Sequence, residues 1–266
     1  MVVVTSNQRD VIFEAVRAMY TEVATKPWAE FHFPTGRRAC EVVGYPGELL
    51  DRLPAAAVES FAGVGYPFRC DVIRAGDVVL DIGSGSGTDV FVALEHAGSA
   101  GRAVALDMTA AMRDKLRRLA VENNVAERVD ILEGNAEDIA LPDESVDVVT
   151  SNGVINLVPD KAAVARDIYR VLKPGGRVQI ADIVLEVPAG ESCRSNAKLW
   201  AECIVGATPE TEYVMAFQQA GFEDVEVLHQ LDYFAASSSE STRETAHGLG
   251  AHSIVMRAHK PNRPRV

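Results

Sequence analysis

Cysteine is scarce in this chain of 266 residues, which holds four, Cys40, Cys70, Cys193 and Cys203, and no C-x-x-C pair. This spacing excludes a zinc module and a disulfide scaffold, so no metal site is expected and each thiol is predicted to be a small reduced core side chain. Long apolar runs are missing too, because no segment approaches the roughly 18 apolar residues of a membrane span. Residues 1–4 are too short for the apolar core of a signal peptide. These absences predict a cytoplasmic protein without a membrane partner.

Basic residues are few: 26 Lys and Arg stand against 38 Asp and Glu, which gives a net charge of −12. Nucleic-acid binding usually needs a basic surface, so no nucleic-acid partner is predicted and a small-molecule substrate is favoured. No internal repeat is present, and nothing indicates an oligomeric state. The 47% hydrophobic and 24% charged residues are typical of a globular protein. The length suffices for one large α/β domain with an extension.

The most informative segment is 78–88, where an apolar strand runs into a glycine turn. Glycine lets the backbone approach a ligand closely, as at nucleoside cofactor sites. The spacing is G-x-G-x-G, and Thr88 replaces the last glycine of the dinucleotide fingerprint G-x-G-x-x-G. Asp81 before the turn would repel a pyrophosphate but attract the ammonium and sulfonium groups of S-adenosylmethionine (SAM), and Asp107 ends the next apolar strand. A plain strand-to-helix turn and an NAD-dependent oxidoreductase are the alternatives.

Beyond the turn, strands and helices alternate, a pattern that predicts an α/β fold with a doubly wound, seven-stranded, mostly parallel, Rossmann-like sheet. The predicted strands are 78–81, 103–107, 129–133, 146–150 and 177–184, with a terminal pair at 225–231 and 254–258. The predicted helices are 89–97, 110–123 with Thr109 as its N-cap, 161–172 and 209–220. Lys115, Arg117 and Arg118 are expected on the solvent side of the second helix. The segment 173–176, Lys-Pro-Gly-Gly, should stop the third helix, and 235–241 is predicted to be a loop.

Residues 1–70 do not follow this alternation. Helical spacing over 11–23 is followed by a loop rich in aromatic residues, glycine and proline. Ligands of such sheets bind outside the carboxyl ends of the strands, so we expect this segment to cap the site and exclude water. The alternative is a helix that only covers an edge. The predicted division is therefore an N-terminal helical and loop cap, 1–70, and a SAM-binding domain, 71–266.

Six further segments carry a specific resemblance. They are 81–87 (DIGSGSG), 107–109 (DMT), 134–137 (GNAE), 151–157 (SNGVINL), 158–161 (VPDK) and 170–176 (RVLKPGG). Together they resemble class I SAM-dependent methyltransferases of the arsenite methyltransferase branch over residues 75–222, and more distantly ubiquinone/menaquinone C-methyltransferases. The segment 151–157 is the narrowest of these signatures. The resemblance implies SAM as cofactor and S-adenosylhomocysteine as product.

Carried onto this chain, the resemblance implies a cofactor site at the carboxyl ends of the strands. The cofactor-binding residues are Asp81, Gly83, Gly85, Gly87, Asp107, Met108, Asn135, Ala136, Glu137, Ser151 and Asn152. Asp81, Gly83 and Gly85 would border the methionine part, and Asp107 would take both ribose hydroxyls. Met108 would pack on adenine, Ala136 and Glu137 would meet its polar edge, and Asn152 would lie near the transferable methyl.

One departure from the resemblance concerns the acceptor. Arsenite methyltransferases have a cysteine at position 153 that helps to bind trivalent arsenic as thiolates, and this chain has Gly153. Cys203 has a counterpart in the family, and Cys40 is the second cysteine considered for binding arsenic. Gly153 would instead open space for an organic acceptor. The residues expected to line that space are Phe33, Tyr45, Gly153, Trp200 and Cys203.

The predicted activity is transfer of a methyl group from SAM to an O, N, S or C nucleophile of a small molecule. Such an in-line displacement depends mostly on proximity and orientation, and it needs a base only where the nucleophile must lose a proton. The expected catalytic residues are His32, Asn152 and Glu202, with His229 as a further candidate base. The alternatives are arsenite methylation through Cys40 and Cys203, and a non-catalytic SAM-binding regulatory protein.

Overall fold

A seven-stranded sheet organises the residues that the computed structural model describes, 6–190, 200 and 204–262. Its strands are β1 (Val78–Ile82), β2 (Arg102–Asp107), β3 (Val129–Glu133), β4 (Val146–Asn152), β5 (Leu172–Val184), β6 (Glu223–Leu231) and β7 (His252–His259). Their order across the sheet is β3-β2-β1-β4-β5-β7-β6. Strands β1 to β5 pair in parallel, and β7 runs antiparallel to both β5 and β6. The predicted doubly wound, mostly parallel sheet is confirmed.

Helices cover both faces of the sheet. They are α1 (Ser6–Thr25), α2 (Gly36–Val42), α3 (Gly47–Leu50), α4 (Ala55–Val58), α5 (Thr88–Ala97), α6 (Ala110–Glu122), α7 (Lys161–Val171), α8 (Glu210–Ala220) and α9 (Glu240–Leu249). Short 3-10 turns lie at Pro67–Cys70, Ala126–Arg128, Ile155–Leu157 and Tyr233–Ala236. On one face, Val90 of α5 and Leu116 of α6 share a core with the N-terminal segment. On the other face, Ile168 of α7 and Phe217 of α8 pack together with Ile180 of β5.

Helix α9 was not predicted, and the loop predicted over 235–241 overlaps its start and the 3-10 turn before it. The helix begins after Ser239, whose side chain accepts a hydrogen bond from the Thr242 N–H, and it ends at Gly250 in the left-handed conformation. Only Thr242 and Ala246 of the helix are buried. Because charged and polar residues dominate the segment, it lacks the apolar stripe by which helices are recognised.

Strand β5 begins five residues earlier than predicted, at Leu172, directly after α7 ends at Val171. The Lys-Pro-Gly-Gly segment does end the helix, but it continues as extended chain instead of forming a separate turn. Leu172 pairs with Val146 of β4, and the Gly175 N–H donates to the Lys260 carbonyl. These partners come from distant parts of the chain, so local sequence could not indicate the earlier start.

The prediction that Lys115 faces solvent is wrong, because its side chain is buried. Its ammonium group donates to Glu59 Oε1 at 2.7 Å and to Ser60 Oγ at 2.8 Å. Burial of a lysine is tolerated only when its charge is paired and hydrogen-bonded, as it is here. The pairing ties α6 to the segment after α4. No helix among the described residues is long and apolar enough to cross a membrane.

Candidate active site

The glycine turn between β1 and α5 adopts a conformation that only glycine accommodates well. Gly83, Gly85 and Gly87 have φ values of +71°, +53° and +97°, in the left-handed region. A Cβ added at Gly83 would lie 2.2 Å from Val154 Cγ2, and one at Gly87 would lie 2.3 Å from Leu116 Cδ1. The backbone of the turn therefore packs directly against the Val154 side chain after β4 and the Leu116 side chain of α6.

Asp107, at the carboxyl end of β2, holds this turn in place. Its Oδ2 accepts a hydrogen bond from the Gly85 N–H at 2.8 Å, and its Oδ1 accepts from the Thr109 N–H at 2.7 Å. Burial raises the pKa of the Asp107 carboxyl, and these hydrogen bonds to its ionised form oppose the rise. Each carboxylate oxygen keeps a second lone pair with which to accept from a ligand hydroxyl.

Three buried carboxyl groups, Asp81, Asp89 and Asp107, line one cavity at the carboxyl edge of the sheet. Among the described residues, Asp81 Oδ2 and Ser84 Oγ have no hydrogen-bond partner although both are buried. Burial, and then the charges of Asp89 and Asp107, raise the pKa of Asp81 well above its ordinary value. Burial also raises the pKa of Asp89 to about 6. No Lys, Arg or His is among the described residues that line this cavity.

These features fit the ammonium and sulfonium groups of SAM. A cation would satisfy the unpartnered Asp81 oxygen and favour ionisation of the carboxyl groups around it. A pyrophosphate would meet three carboxyl groups and, among the described lining residues, no basic side chain to neutralise it. The acidic lining of the cavity therefore suits SAM better than a dinucleotide.

The cavity brings together six of the predicted site residues. They are Asp81, Gly83, Gly85, Asp107, Asn152 and Gly153. Residues of the N-terminal segment form the opposite wall, including Val16 and Tyr20 of α1 and Phe61. The segment predicted as a cap therefore supplies part of the lining.

Asn152, at the end of β4, has both atoms of its side-chain amide engaged. Its Oδ1 accepts from the Val64 and Gly65 N–H groups at 2.8 and 3.2 Å. Its Nδ2 lies 2.9 Å from the Gly65 carbonyl, 3.0 Å from Asp89 Oδ2 and 3.1 Å from the Tyr45 hydroxyl. The Tyr45 hydroxyl in turn donates to Asp89 Oδ1. Asn152 and Tyr45 thus fix the Asp89 carboxyl and the N-terminal segment around the cavity.

A smaller adjoining cavity lies where the adenine contacts were predicted. Met108, Asn135 and Ala136 line it, with Phe13 of α1 on the other side. Asn135 Oδ1 accepts from the Glu137 N–H at 2.8 Å and so shapes the loop. Glu137 does not line this cavity, and its buried carboxyl group binds other parts of the protein.

Glu137 forms an ion pair with Arg9 of α1, and its Oε1 accepts from the Asp160 N–H at 3.0 Å. The pair connects α1 to the loop after β3. Arg9 also lies over the Phe13 ring, 5.5 Å from its centroid. Ser151, another predicted cofactor residue, is buried and donates to the Ile82 carbonyl at 3.3 Å.

Several predicted residues do not line either cavity in the described part of the chain. They are His32, Phe33, Tyr45, Gly87, Glu137, Ser151 and Trp200. The His32 ring meets Phe33 edge-on at 4.6 Å, and the Trp200 indole N–H donates to the Leu157 carbonyl at 2.8 Å. His229 is on β6, the edge strand farthest from β3. Glu202 and Cys203 lie outside the described residues.

Cys40 is fully buried in α2. Burial, followed by the charge of Asp89, raises the pKa of its thiol, so the thiolate that would bind arsenic is disfavoured. It is not among the described residues that line the two cavities.

Asp89 and Arg9 are functional candidates that sequence reasoning missed. Asp89 directly follows the glycine turn in the first turn of α5, and its acidic type at that place was the available signal. Arg9 offered no signal, because its partner Glu137 is 128 residues away.

Comparison with known proteins places these observations in a family. The family described as "Methyltransferase domain" matches residues 73–230. The chain is 39% identical over 165 residues to an arsenite methyltransferase of Halobacterium salinarum, covering 62% of this chain and 42% of that protein. It is 34% identical over 196 residues to an arsenite methyltransferase of Mus musculus, covering 70% of this chain and 51% of that protein. The chain thus spans about half the length of these curated relatives.

A solved structure extends the similarity to the fold. The arsenic(III) S-adenosylmethionine methyltransferase of Chlamydomonas reinhardtii superposes with a TM-score of 0.63 at 26% identity. The alignment covers 86% of this chain and 74% of that one.

Proposed function

This chain belongs to the methyltransferase domain family, and from that premise we propose that it transfers a methyl group from SAM to a small-molecule acceptor. The acidic cavity at the carboxyl edge carries the proposal. It combines a glycine turn in the left-handed conformation, with no room for a Cβ at Gly83, with a buried, unpartnered Asp81 oxygen and no basic side chain in the described lining. SAM supplies an electrophilic methyl group on a sulfonium, which leaves as the neutral thioether of S-adenosylhomocysteine.

The residues of this chain bind and orient the reactants. Asp81 and the backbone of Gly83 and Gly85 would meet the cationic methionine part, and Asp107 would accept from the ribose hydroxyls. Met108, Asn135 and Ala136 would surround adenine. Asn152 would set the position of the acceptor through its contacts with the N-terminal segment. Orientation of this kind can lower the barrier of a displacement by roughly 7 to 11 kcal/mol.

We propose further that residues 1–70 act as a cap on a SAM-binding domain of 71–266. Val16, Tyr20 and Phe61 on the wall of the cavity support this division. So does the ion pair between Arg9 and Glu137, which holds α1 across the adenine subsite. A cap of this kind excludes water from the transfer.

Arsenite methylation is the second candidate, favoured by the similarity to arsenite methyltransferases. It would depend on Cys40 and Cys203, since position 153 is glycine. The buried thiol of Cys40 weighs against it.

The test is transfer of labelled methyl from SAM to arsenite with excess thiol, beside a mixture of small organic amines, alcohols, thiols and acids. An Asp107→Ala variant serves as the control for cofactor binding, and Cys203→Ser as the control for arsenic. We expect label in an organic product and none in arsenic. Label in methylated arsenic that is lost in Cys203→Ser would favour the second candidate. Tight SAM binding without transfer to any acceptor would indicate a SAM-binding regulatory protein instead.

A further inference from the structure

The charge around the cavity restricts what can enter it with SAM. Three carboxyl groups line it, and two basic side chains that contact residues of its lining, Lys115 and Arg113, are already paired. Lys115 binds Glu59 and Ser60 Oγ, while Arg113 donates to the Asp107 carbonyl and to Glu133. Bound SAM carries a net charge of about +1 from two cationic groups and one carboxylate. The negative charge of the ionised carboxyl groups in the described lining would be larger than this positive charge. An anionic acceptor would therefore be repelled.

The order of the strands identifies the end of the cavity at which an acceptor would meet this charge. Asp107 ends β2, Asp81 is on β1 between its neighbours, and Asn152 ends β4. Adjacent strands lie about 4.8 Å apart, so Asp107 and Asn152 mark points separated by roughly 10 Å along the edge. With the ribose at Asp107, the Asn152 end is left for the methionine part and the acceptor. Asp89 lies at this end, with Oδ2 at 3.0 Å from Asn152 Nδ2.

The Asp89 carboxyl is held in place by neutral donors. Tyr45 donates to Oδ1 and Asn152 donates to Oδ2, which leaves further lone pairs on both oxygens. No described cation forms an ion pair with it. Asp81, the other carboxyl group near this end of the cavity, is buried with one unpartnered oxygen, and in the proposed function it meets the cationic methionine part of SAM. Asp89 is therefore the carboxyl group that remains for a second positively charged ligand group.

Resting on the proposed function, we propose that the acceptor is a small amine that enters as an ammonium ion, and that Asp89 is the catalytic base that removes its proton. The proton moves from the ammonium nitrogen to a carboxylate oxygen of Asp89. The nitrogen lone pair then forms the new N–C bond to the methyl carbon while the C–S bond breaks and its electron pair stays on sulfur. The products are the N-methylated ammonium ion, the thioether S-adenosylhomocysteine and protonated Asp89. Val16, Tyr20 and Phe61 offer an apolar wall for the hydrocarbon part of the amine.

The ionisation of Asp89 agrees with this role. Burial raises its pKa to about 6, close to the working range of a base at neutral pH. The titratable groups that share its surroundings are Asp81 on β1, Asp107 on β2, Cys40 on α2, Tyr45, and Tyr66 next to the Pro67–Cys70 turn. These are carboxyl, thiol and phenol groups, which are either neutral or negatively charged, so none supplies a positive charge to Asp89.

The test measures binding to the complex of the full chain with S-adenosylhomocysteine. Phenethylamine, phenethyl alcohol and hydrocinnamate share one aromatic body and carry an ammonium, a hydroxyl and a carboxylate group. Calorimetric titration at pH 7.5 should give a Kd for the amine at least tenfold below that for the alcohol, with the acid weakest. An amine that binds no better than the alcohol or the acid would overturn the proposal. Failure of S-adenosylhomocysteine itself to bind would instead refute the proposed function.

An Asp89→Asn variant tests whether the charge of Asp89 causes the preference for the amine. Asp138→Asn, which removes an exposed carboxyl group, is the matched control. With S-adenosylhomocysteine present at saturation, Asp89→Asn should remove the preference for the amine over the alcohol. Methyl transfer to the amine should fall by about 10² to 10⁴ in kcat and lose its rise with pH near 6. An unchanged preference would contradict the proposal. Loss of S-adenosylhomocysteine binding by the folded variant would assign Asp89 to the cofactor instead.

Discussion

Replacing Asp89 by Asn should make the cofactor-free protein less sensitive to pH. Burial raises the pKa of this carboxyl from an ordinary value of 3.8 to about 6. A carboxyl with a raised pKa in the folded state contributes most stability below pH 3.8, and the contribution is lost as the pH rises through 6. The whole shift corresponds to about 3 kcal/mol of unfolding free energy, of which about 1.3 kcal/mol is lost between pH 5 and pH 7.

Urea unfolding of the wild type, Asp89→Asn and Asp138→Asn at pH 5 and pH 7 measures this contribution. The free energy of unfolding of the wild type and of Asp138→Asn should change with pH in the same way. Between pH 5 and pH 7, Asp89→Asn should lose less unfolding free energy than the other two proteins, by about 1.3 kcal/mol or more. The difference can exceed that figure because the charge of Asp89, which the substitution removes, also raises the pKa of Asp81. Equal pH dependence in all three proteins would refute the conclusion that Asp89 is buried without a compensating cation.

Three further substitutions test other contacts of the site. Gly83→Ala should lower SAM affinity at least a hundredfold in calorimetry, because its Cβ meets a valine methyl at 2.2 Å with φ at +71°; an unchanged Kd would contradict the cradle. Arg9→Ala should release SAM several times faster in stopped-flow measurements, because it frees α1 from Glu137; an unchanged rate would mean that α1 does not cover the ligand. Gly153→Cys should lower Tm in calorimetric unfolding, because the backbone at position 153 has a φ of +72°. The variant should not gain arsenite methylation, and robust transfer to arsenite would contradict this.

The sheet was predictable because each central strand is a short apolar run bounded by turn residues. The same signal located the glycine turn and Asp107, and both lie where the doubly wound order brings the carboxyl ends of β1 and β2 together. Local sequence was sufficient here because the pattern of burial and the turn chemistry are local.

The contacts that were missed all join distant parts of the chain. Lys115 looks like a surface residue until Glu59 and Ser60 are placed beside it. Asp89 looks like an ordinary first-turn residue of a helix until Tyr45 and Asn152 surround it. Such pairings depend on the path of residues 26–77 over the sheet, and that part of the chain has no periodic signature.

The central claim is that the acidic cavity binds SAM, and calorimetric titration of the purified chain with SAM and with NAD+ tests it most directly. The account predicts one SAM site, no binding of NAD+, and loss of SAM binding in Asp107→Ala, whose carboxyl holds the Gly85 and Thr109 N–H groups. Binding of NAD+, or SAM affinity that Asp107→Ala leaves unchanged, would contradict it.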